Sequence, residues 1–458
     1  MNTLIILSAL GIITLFAEIF RFRKALFPLI LLGLAGAFVA TSFEYCDHPQ
    51  SIFNMMIFDK YAVVFSCSLI LICFLWFMMA RNYFLQETSV TDHFALILFA
   101  LAGAVVMVSY SNLVMLFLGI EILSVSVYVL AASDKASVLS NEAGFKYFLM
   151  GSFASGFLLF GITLIYGATG SFDLGTIEQF VASNPSSGLV TVGVLLMLTG
   201  LAFKSSLAPF HFWAPDVYDG APTTVTAFMA TVVKTAAFGA FFRLFSTSFA
   251  GVSGQWTSVL WWFAVLTMFA GNLSALRQFS VKRMLAYSSI AHAGYIAIAI
   301  VSVSTNGSSA QAILYYTLTY SIATITAFTV LYIVERNTGR NDFGAFEGMA
   351  KNNPFLALVT TVAMLSLAGI PPTAGFFGKY YIFLTALNSH NASLVVIAVV
   401  AALIGVYYYF RVIISMYFKP EKSDIPASIG SLHQIVLFIT TLLTLLLGIF
   451  PDWVLRWI

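Results

Sequence analysis

Apolar positions in this chain fall in stretches of about twenty residues, the length that crosses a hydrocarbon core as a helix, separated by short polar segments. The stretches cover approximately residues 3–20, 25–43, 59–80, 93–109, 112–132, 146–167, 188–218, 222–246, 256–276, 283–303, 309–334, 354–388, 392–417 and 432–450. This pattern predicts an all-α polytopic membrane protein of about 14 transmembrane helices. Four ionisable side chains lie deep inside the stretches: Glu121, Lys204, Lys234 and Lys379. An ion in hydrocarbon costs roughly 3 kcal/mol or more, so a residue of this kind marks an ion pathway.

Composition agrees, with 60% apolar and 9% charged residues and a mean hydropathy of +0.95, where a soluble domain carries about 25% charged residues. A net charge of +2 gives no footprint for nucleic acid. The first stretch has neither a basic leader nor a small-residue cleavage site, and is read as a retained helix rather than a signal peptide. Cys46, Cys67 and Cys73 form no CxxC pair and cannot supply four thiolates. No iron–sulfur centre or metal is expected in this chain.

The basic residues set an expected orientation. If the first span starts outside, the odd-numbered connections hold fourteen Lys and Arg residues, from Arg21, Arg23 and Lys24 through Lys282 and Arg283 to Lys419 and Lys422. The opposite side holds Lys60, Arg243 and Arg456. Cytoplasmic connections carry the basic excess, which places both termini on the outer, periplasmic side.

Two spans are overlong and interrupted. The seventh contains Phe203-Lys204-Ser205-Ser206-Leu207-Ala208-Pro209, and the twelfth contains Ala368-Gly369-Ile370-Pro371-Pro372-Thr373-Ala374-Gly375. Proline removes a backbone donor and clashes with the preceding turn, and irregular backbone at membrane depth needs protein or a water-filled cavity around it. Interruptions at matching positions signal a repeated transporter fold. The expected organisation is N-terminal helices over 1–92, a first five-helix repeat over 93–246, a second over 256–417 and a C-terminal helix over 432–458. Phe241-Phe242-Arg243 and Tyr409-Phe410-Arg411 close corresponding helices. Five is odd, so consecutive repeats are inverted across the membrane.

Glu121 lies nine residues past Asn112, about 14 Å down a helix and near mid-bilayer. It is either a proton site or a neutral acid that glues helices together. Lys204 stands at the first break, where loosened carbonyls and water can solvate it. Lys234 sits mid-span, and one acid cannot neutralise two lysines, so coupled titration is the better account of the three. Lys379 follows the second break; snorkelling to an interface fits poorly with a position so close to it. His292, on the repeat counterpart of the helix carrying Glu121, is a candidate relay, as is His211 beside the first break. Ser205, Ser206 and Thr373 can hold waters between these stations.

These residues also carry a family resemblance. Phe117-Leu118-Gly119-Ile120-Glu121-Ile122-Leu123-Ser124, the run from Gly200 to Lys234, Lys282 to Tyr295, and Gly369 to Phe376 together resemble the antiporter-like membrane subunits of respiratory complex I, the bacterial NADH-quinone oxidoreductase. The Leu-Gly-Ile-Glu context, a lysine on the twelfth helix and no C-terminal lateral helix point to N-type members over M and L relatives. The resemblance implies that Glu121 and Lys204 form an acid–lysine pair, that Lys234 links to the middle of the membrane, and that Lys379 completes an exit half. It further implies NADH, FMN, iron–sulfur clusters and quinone on partner subunits, none of them in this chain. It places the chain in the bacterial inner membrane beside other membrane-arm subunits, especially the M-type and the small J/K-type ones. The rival is a subunit of a multi-subunit cation/proton antiporter, but a sodium site wants several oxygen ligands, and only Glu121 is anionic at depth. A structural arm that carries no protons would gain nothing from desolvating lysines.

Overall fold

The computed structural model describes residues 2–20, 22–45, 50–84, 90–303, 308–420 and 429–457, without the side chains of Lys24 and Gln50. Arg21, Cys46 and Lys422 lie outside the described residues. Eleven helices are long and apolar enough to cross a membrane, and Asn2–Phe16, Gly188–Lys204 and Pro354–Ala368 are shorter apolar ones. Every expected span therefore has its helix, and the fold is all-α and polytopic. The exception among the described residues is a small hairpin, Gln50–Ile52 paired with Met56–Phe58.

Both interrupted spans are discontinuous. The seventh consists of Gly188–Lys204 and Trp213–Gly220, and the twelfth of Pro354–Ala368 and Ala374–Asn388. Each break contains a residue at positive φ, Ser206 at 60° and Gly369 at 82°, and a cis prolyl bond, Ala208–Pro209 and Pro371–Pro372. The repeat also shows where helices begin. Asn112 caps the fifth span by accepting from Val114 N, and Ser280 caps the tenth by accepting from Arg283 N. Leu113 N then donates to Phe172 O at 2.9 Å, and Val281 N to Asn341 O at 2.8 Å. One backbone link thus recurs in both repeats.

By packing, the chain divides into two compact units. The first comprises Met1–Ser205, Val232–Leu260 and Trp457–Ile458. Its fourth and fifth spans, Val90–Ser109 and Leu113–Ala131, meet across glycines: a Cβ on Gly103 would lie 2.8 Å from Leu123 N, and one on Gly119 3.0 Å from Met107 N. Small residues let membrane helices approach this closely, so that dispersion and backbone dipoles hold them together where lipid offers no hydrophobic drive. The sixth span, Val138–Thr169, packs on Gly188–Lys204. It starts earlier than its hydropathy because Ser137 caps it, accepting from Ser140 N at 3.3 Å.

The second unit comprises Ser206–Thr231 and Trp261–Arg456. Its centre is the eleventh span, Ser308–Thr338, against which both halves of the twelfth and the fourteenth, Ser431–Ile449, pack. The tenth span, Val281–Val301, is buried over nearly its whole length.

Two basic residues expected in connections are buried instead. Arg243 is enclosed in the first unit, 2.6 Å from Asp59 Oδ1 and with its guanidinium 4.9 Å from the Tyr61 ring centre. Lys282, in the second unit, donates to Ala221 O at 2.7 Å. Their partners are distant in sequence, so a local hydropathy window reads only a charge near a helix end.

Candidate functional site

Lys204 is the last residue of Gly188–Lys204. A helix C-terminus presents unsatisfied carbonyls and the negative end of the backbone dipole, the setting that favours a cation. Its buried ammonium donates to Ser124 Oγ at 2.7 Å. Ser124 in turn donates its own proton to Ile120 O at 2.5 Å, which leaves its oxygen lone pairs facing the lysine. The rings of Tyr147 and Tyr128 stand 5.6 Å and 5.9 Å from the ammonium, within cation–π range. Lys204 is thereby coordinated by a hydroxyl and two aromatic faces from the fifth and sixth spans.

Glu121 sits on the same fifth span, close to one helical turn before Ser124, and accepts a 2.5 Å hydrogen bond from Ser155 Oγ of the sixth. Unlike the lysines it is only partly enclosed. Ile122, Val125 and Val129, on the neighbouring stripe of that helix, are 42%, 54% and 53% exposed. Hydropathy reports depth in the bilayer and is blind to which face of a helix the protein covers.

Lys234 is fully enclosed. It follows directly on a π-helical turn, Met229–Val233, that interrupts the eighth span. Such bulges recur at functional positions, and no sequence signal had marked this one.

The second unit builds a related arrangement from different residues. Lys379 is buried, and its ammonium donates to the carbonyls of Ala368 at 2.7 Å and Leu367 at 3.1 Å. These are end carbonyls of the broken helix Pro354–Ala368. The Tyr295 ring centre is 5.3 Å away. His292 Nδ1 bonds the Tyr316 hydroxyl at 2.7 Å, and Nε2 bonds that of Tyr409 at 3.1 Å. Tyr409 also hydrogen-bonds Ser288. A cavity of about 10 Å³ touches His292, Tyr316, Ser366, Leu367 and Gly375, which is close to the volume that one water centre requires.

The structure thus joins Lys204 to the helix of Glu121, and joins His292 to two tyrosines that sequence reasoning had not singled out. Tyrosine is common on packed helices, and only a partner contact distinguishes these two. His211 stands apart: it is buried against Phe212 with ring centres 4.5 Å apart, and its Nδ1 has no hydrogen-bond partner. Ser205 Oγ is likewise buried without one, while Thr373 Oγ1 donates to Ile370 O. Cys67 and Cys73 are free and buried. Among the described residues no three His, Cys, Asp or Glu side chains gather as metal ligands.

Comparison with known proteins identifies the family. Residues 111–405 match the family described as NADH:quinone oxidoreductase/Mrp antiporter, transmembrane. The NADH-quinone oxidoreductase subunit N of Cytophaga hutchinsonii is 43% identical over 99% of this chain and 98% of its own length. That of Flavobacterium psychrophilum is 42% identical over the full length of both. Among solved structures, a chain of respiratory complex I from Thermus thermophilus with bound aureothin superposes with a TM-score of 0.85 at 34% identity, covering 99% of this chain and 98% of the other. The chain belongs to the antiporter-like membrane subunits of NADH-quinone oxidoreductase, in the subunit N family.

Proposed function

We propose that this chain is the N-type proton-translocating subunit in the membrane arm of an NADH:quinone oxidoreductase. Quinone reduction on partner subunits, which would carry the flavin and the iron–sulfur clusters, shifts the charge state of the polar chain in this one. Lys204 and Lys234 exchange a proton, and Glu121 modulates the affinity of Lys204 by proximity. In the second repeat Lys379 passes a proton outward, with His292 and its two tyrosines as relay. A neutral imidazole donates from one nitrogen and accepts at the other, so a proton taken at one edge can leave from the opposite one.

The observation that carries this reading is the setting of Lys204: the last residue of a half-helix, with its buried ammonium held by one hydroxyl and two rings. Among the described residues no carboxylate makes a direct ion pair with that ammonium, so on this reading the lysine can lose and regain its proton. A scaffold needs none of this. We further read residues 93–246 and 256–417 as the two repeats, the membrane as the bacterial inner membrane, and both termini as periplasmic. The neighbours would be the M-type and small J/K-type subunits.

Lys204→Ala in the purified complex, reconstituted into vesicles, is expected to depress proton pumping and the coupled quinone reductase rate. Wild-type proton stoichiometry in that variant would refute the proposal. The antiporter reading is separated on a native gel of mildly solubilised membranes stained for NADH oxidation. Co-migration of the chain with the active band supports the oxidoreductase, and migration in a band without activity supports the antiporter.

A further inference from the structure

One enclosed amide has no part in the mechanism above. Asn272, on the ninth span, Ser253–Leu276, is only 1% exposed. Two close approaches bring that span against the tenth: a Cβ on Gly271 would stand 2.4 Å from Ala291 N, and one on Gly294 2.8 Å from Met268 N. Gly271 adjoins Asn272 and Gly294 adjoins Tyr295, so the glycines that let the two backbones meet also bring these side chains together. Both polar atoms of the amide are bonded. Nδ2 donates to Met268 O at 2.8 Å and to the Tyr295 hydroxyl at 3.1 Å, and Oδ1 accepts from the Tyr408 hydroxyl at 3.0 Å. The Met268 carbonyl can only accept, which fixes the nitrogen on that side and leaves the oxygen for Tyr408. All of these residues belong to the second unit.

Tyr295 links this amide to the site already described. The Lys379 ammonium lies over its ring, 5.3 Å from the centre, within range of cation–π attraction. The His292 ring meets the same ring edge-on at 5.9 Å between centres. A bond at the hydroxyl, the far end of the side chain, restrains both tyrosine torsions and so sets where the ring plane lies.

We propose that Asn272 is a positioning residue for proton transfer at Lys379: it holds the Tyr295 hydroxyl so that the ring face stays on the ammonium. The proposal rests on the role given to Lys379 above. The alternative is an amide that only glues the ninth, tenth and thirteenth spans together, as polar side chains do in membrane bundles. The two differ in what cures the loss of the amide. Removing one partner of a buried hydrogen bond orphans the other, whereas replacing both by apolar groups of like shape is nearly neutral. An orphaned Tyr295 hydroxyl turns toward another acceptor and takes the ring with it, while a phenylalanine has no such need and stays over Lys379. A lost tie between helices is not restored by that exchange.

The test uses the intact complex reconstituted into vesicles, with NADH-driven proton pumping measured per assembled complex and assembly read on a native gel. Asn272→Leu is expected to cut pumping about threefold or more, the rate equivalent of one cation–π contact. Asn272→Leu combined with Tyr295→Phe is expected to recover most of that loss. Tyr408 loses its acceptor in both variants, so the difference between them reports on Tyr295 alone. Loss without recovery assigns Asn272 to helix adhesion and overturns the proposal, as does undiminished pumping in Asn272→Leu. If Lys379→Ala pumps at the wild-type rate, the role of Lys379 itself fails and this inference falls with it. Should Asn272→Leu not assemble, Tyr295→Leu carries the test, because it removes the ring and leaves the amide bonded to Met268 and Tyr408. Full pumping by Tyr295→Leu overturns the proposal, and a loss of about threefold or more supports it.

Discussion

The ammonium of Lys379 donates a 2.7 Å hydrogen bond to the carbonyl of Ala368, eleven residues earlier and across a broken turn. Lys204 is itself the end of its half-helix, whereas Lys379 belongs to the second half and reaches back to the first. Both repeats thus seat a lysine beside the C-terminal end of a half-helix, but the ammonium of Lys379 bonds end carbonyls whereas that of Lys204 bonds Ser124 Oγ. Open carbonyls and a negative dipole end stabilise the Lys379 cation where bulk water cannot.

Gly369 makes that reach possible. It holds φ at 82°, and a Cβ there would lie 2.8 Å from Lys379 Cδ and 3.0 Å from Nζ. Gly369→Ala combines a left-handed backbone penalty of about 1–2 kcal/mol with displacement of the lysine. Proton pumping by the reconstituted complex is expected to fall well below wild type, and an unchanged rate would show that the Lys379 position is unimportant.

Among the described residues, Ser124 supplies the hydroxyl that accepts a direct hydrogen bond from the Lys204 ammonium. A hydrogen bond to a charged group contributes about 1.5–3 kcal/mol, so Ser124→Ala is expected to slow pumping by about tenfold. Ser124→Thr keeps the hydroxyl and should recover part of the rate. The check is the initial rate of NADH-driven proton uptake at equal complex content.

Tyr316 and Tyr409 flank opposite edges of the His292 ring. If the ring relays protons, Tyr316→Phe and Tyr409→Phe should each lower pumping, and the double variant should do little further harm, because a relay broken once is already broken. Each lost buried bond costs only about 1 kcal/mol of stability, so assembly should persist. Fully additive losses would point to two separate packing effects.

Two arginine pairs make a contrast. Arg456 is 82% exposed and 3.8 Å from Asp452, and exposed pairs contribute about 0–1 kcal/mol, so Arg456→Ala should change neither pumping nor thermal stability. Asp59 accepts from buried Arg243 at 2.6 Å and also from Ala62 N at 2.8 Å. Asp59→Asn is expected to cost about 2 kcal/mol, read as a lower aggregation midpoint of the purified complex.

Span number, the two discontinuities and the burial of Lys204, Lys234 and Lys379 were legible in the chain alone. Transfer into hydrocarbon is nearly a sum over neighbouring residues, and a proline or glycine acts on its own backbone. Partners were not legible. Ser124 is eighty residues from Lys204, and Tyr409 lies 117 residues from His292; nothing local distinguishes them from other serines and tyrosines on apolar helices. The partial exposure of Glu121, the burial of Arg243 and Lys282 and the π-helical turn before Lys234 were equally hidden.

By itself the sequence determined that the chain crosses the membrane many times, breaks two of its helices and sets four ionisable groups within apolar stretches, since each follows from short-range solvation and backbone sterics. Tertiary structure alone decided which carbonyl, hydroxyl or ring meets each ammonium and which face of the fifth span stays open. Those depend on helix rotation and close approach between segments far apart in the chain, quantities that no local window of residues contains.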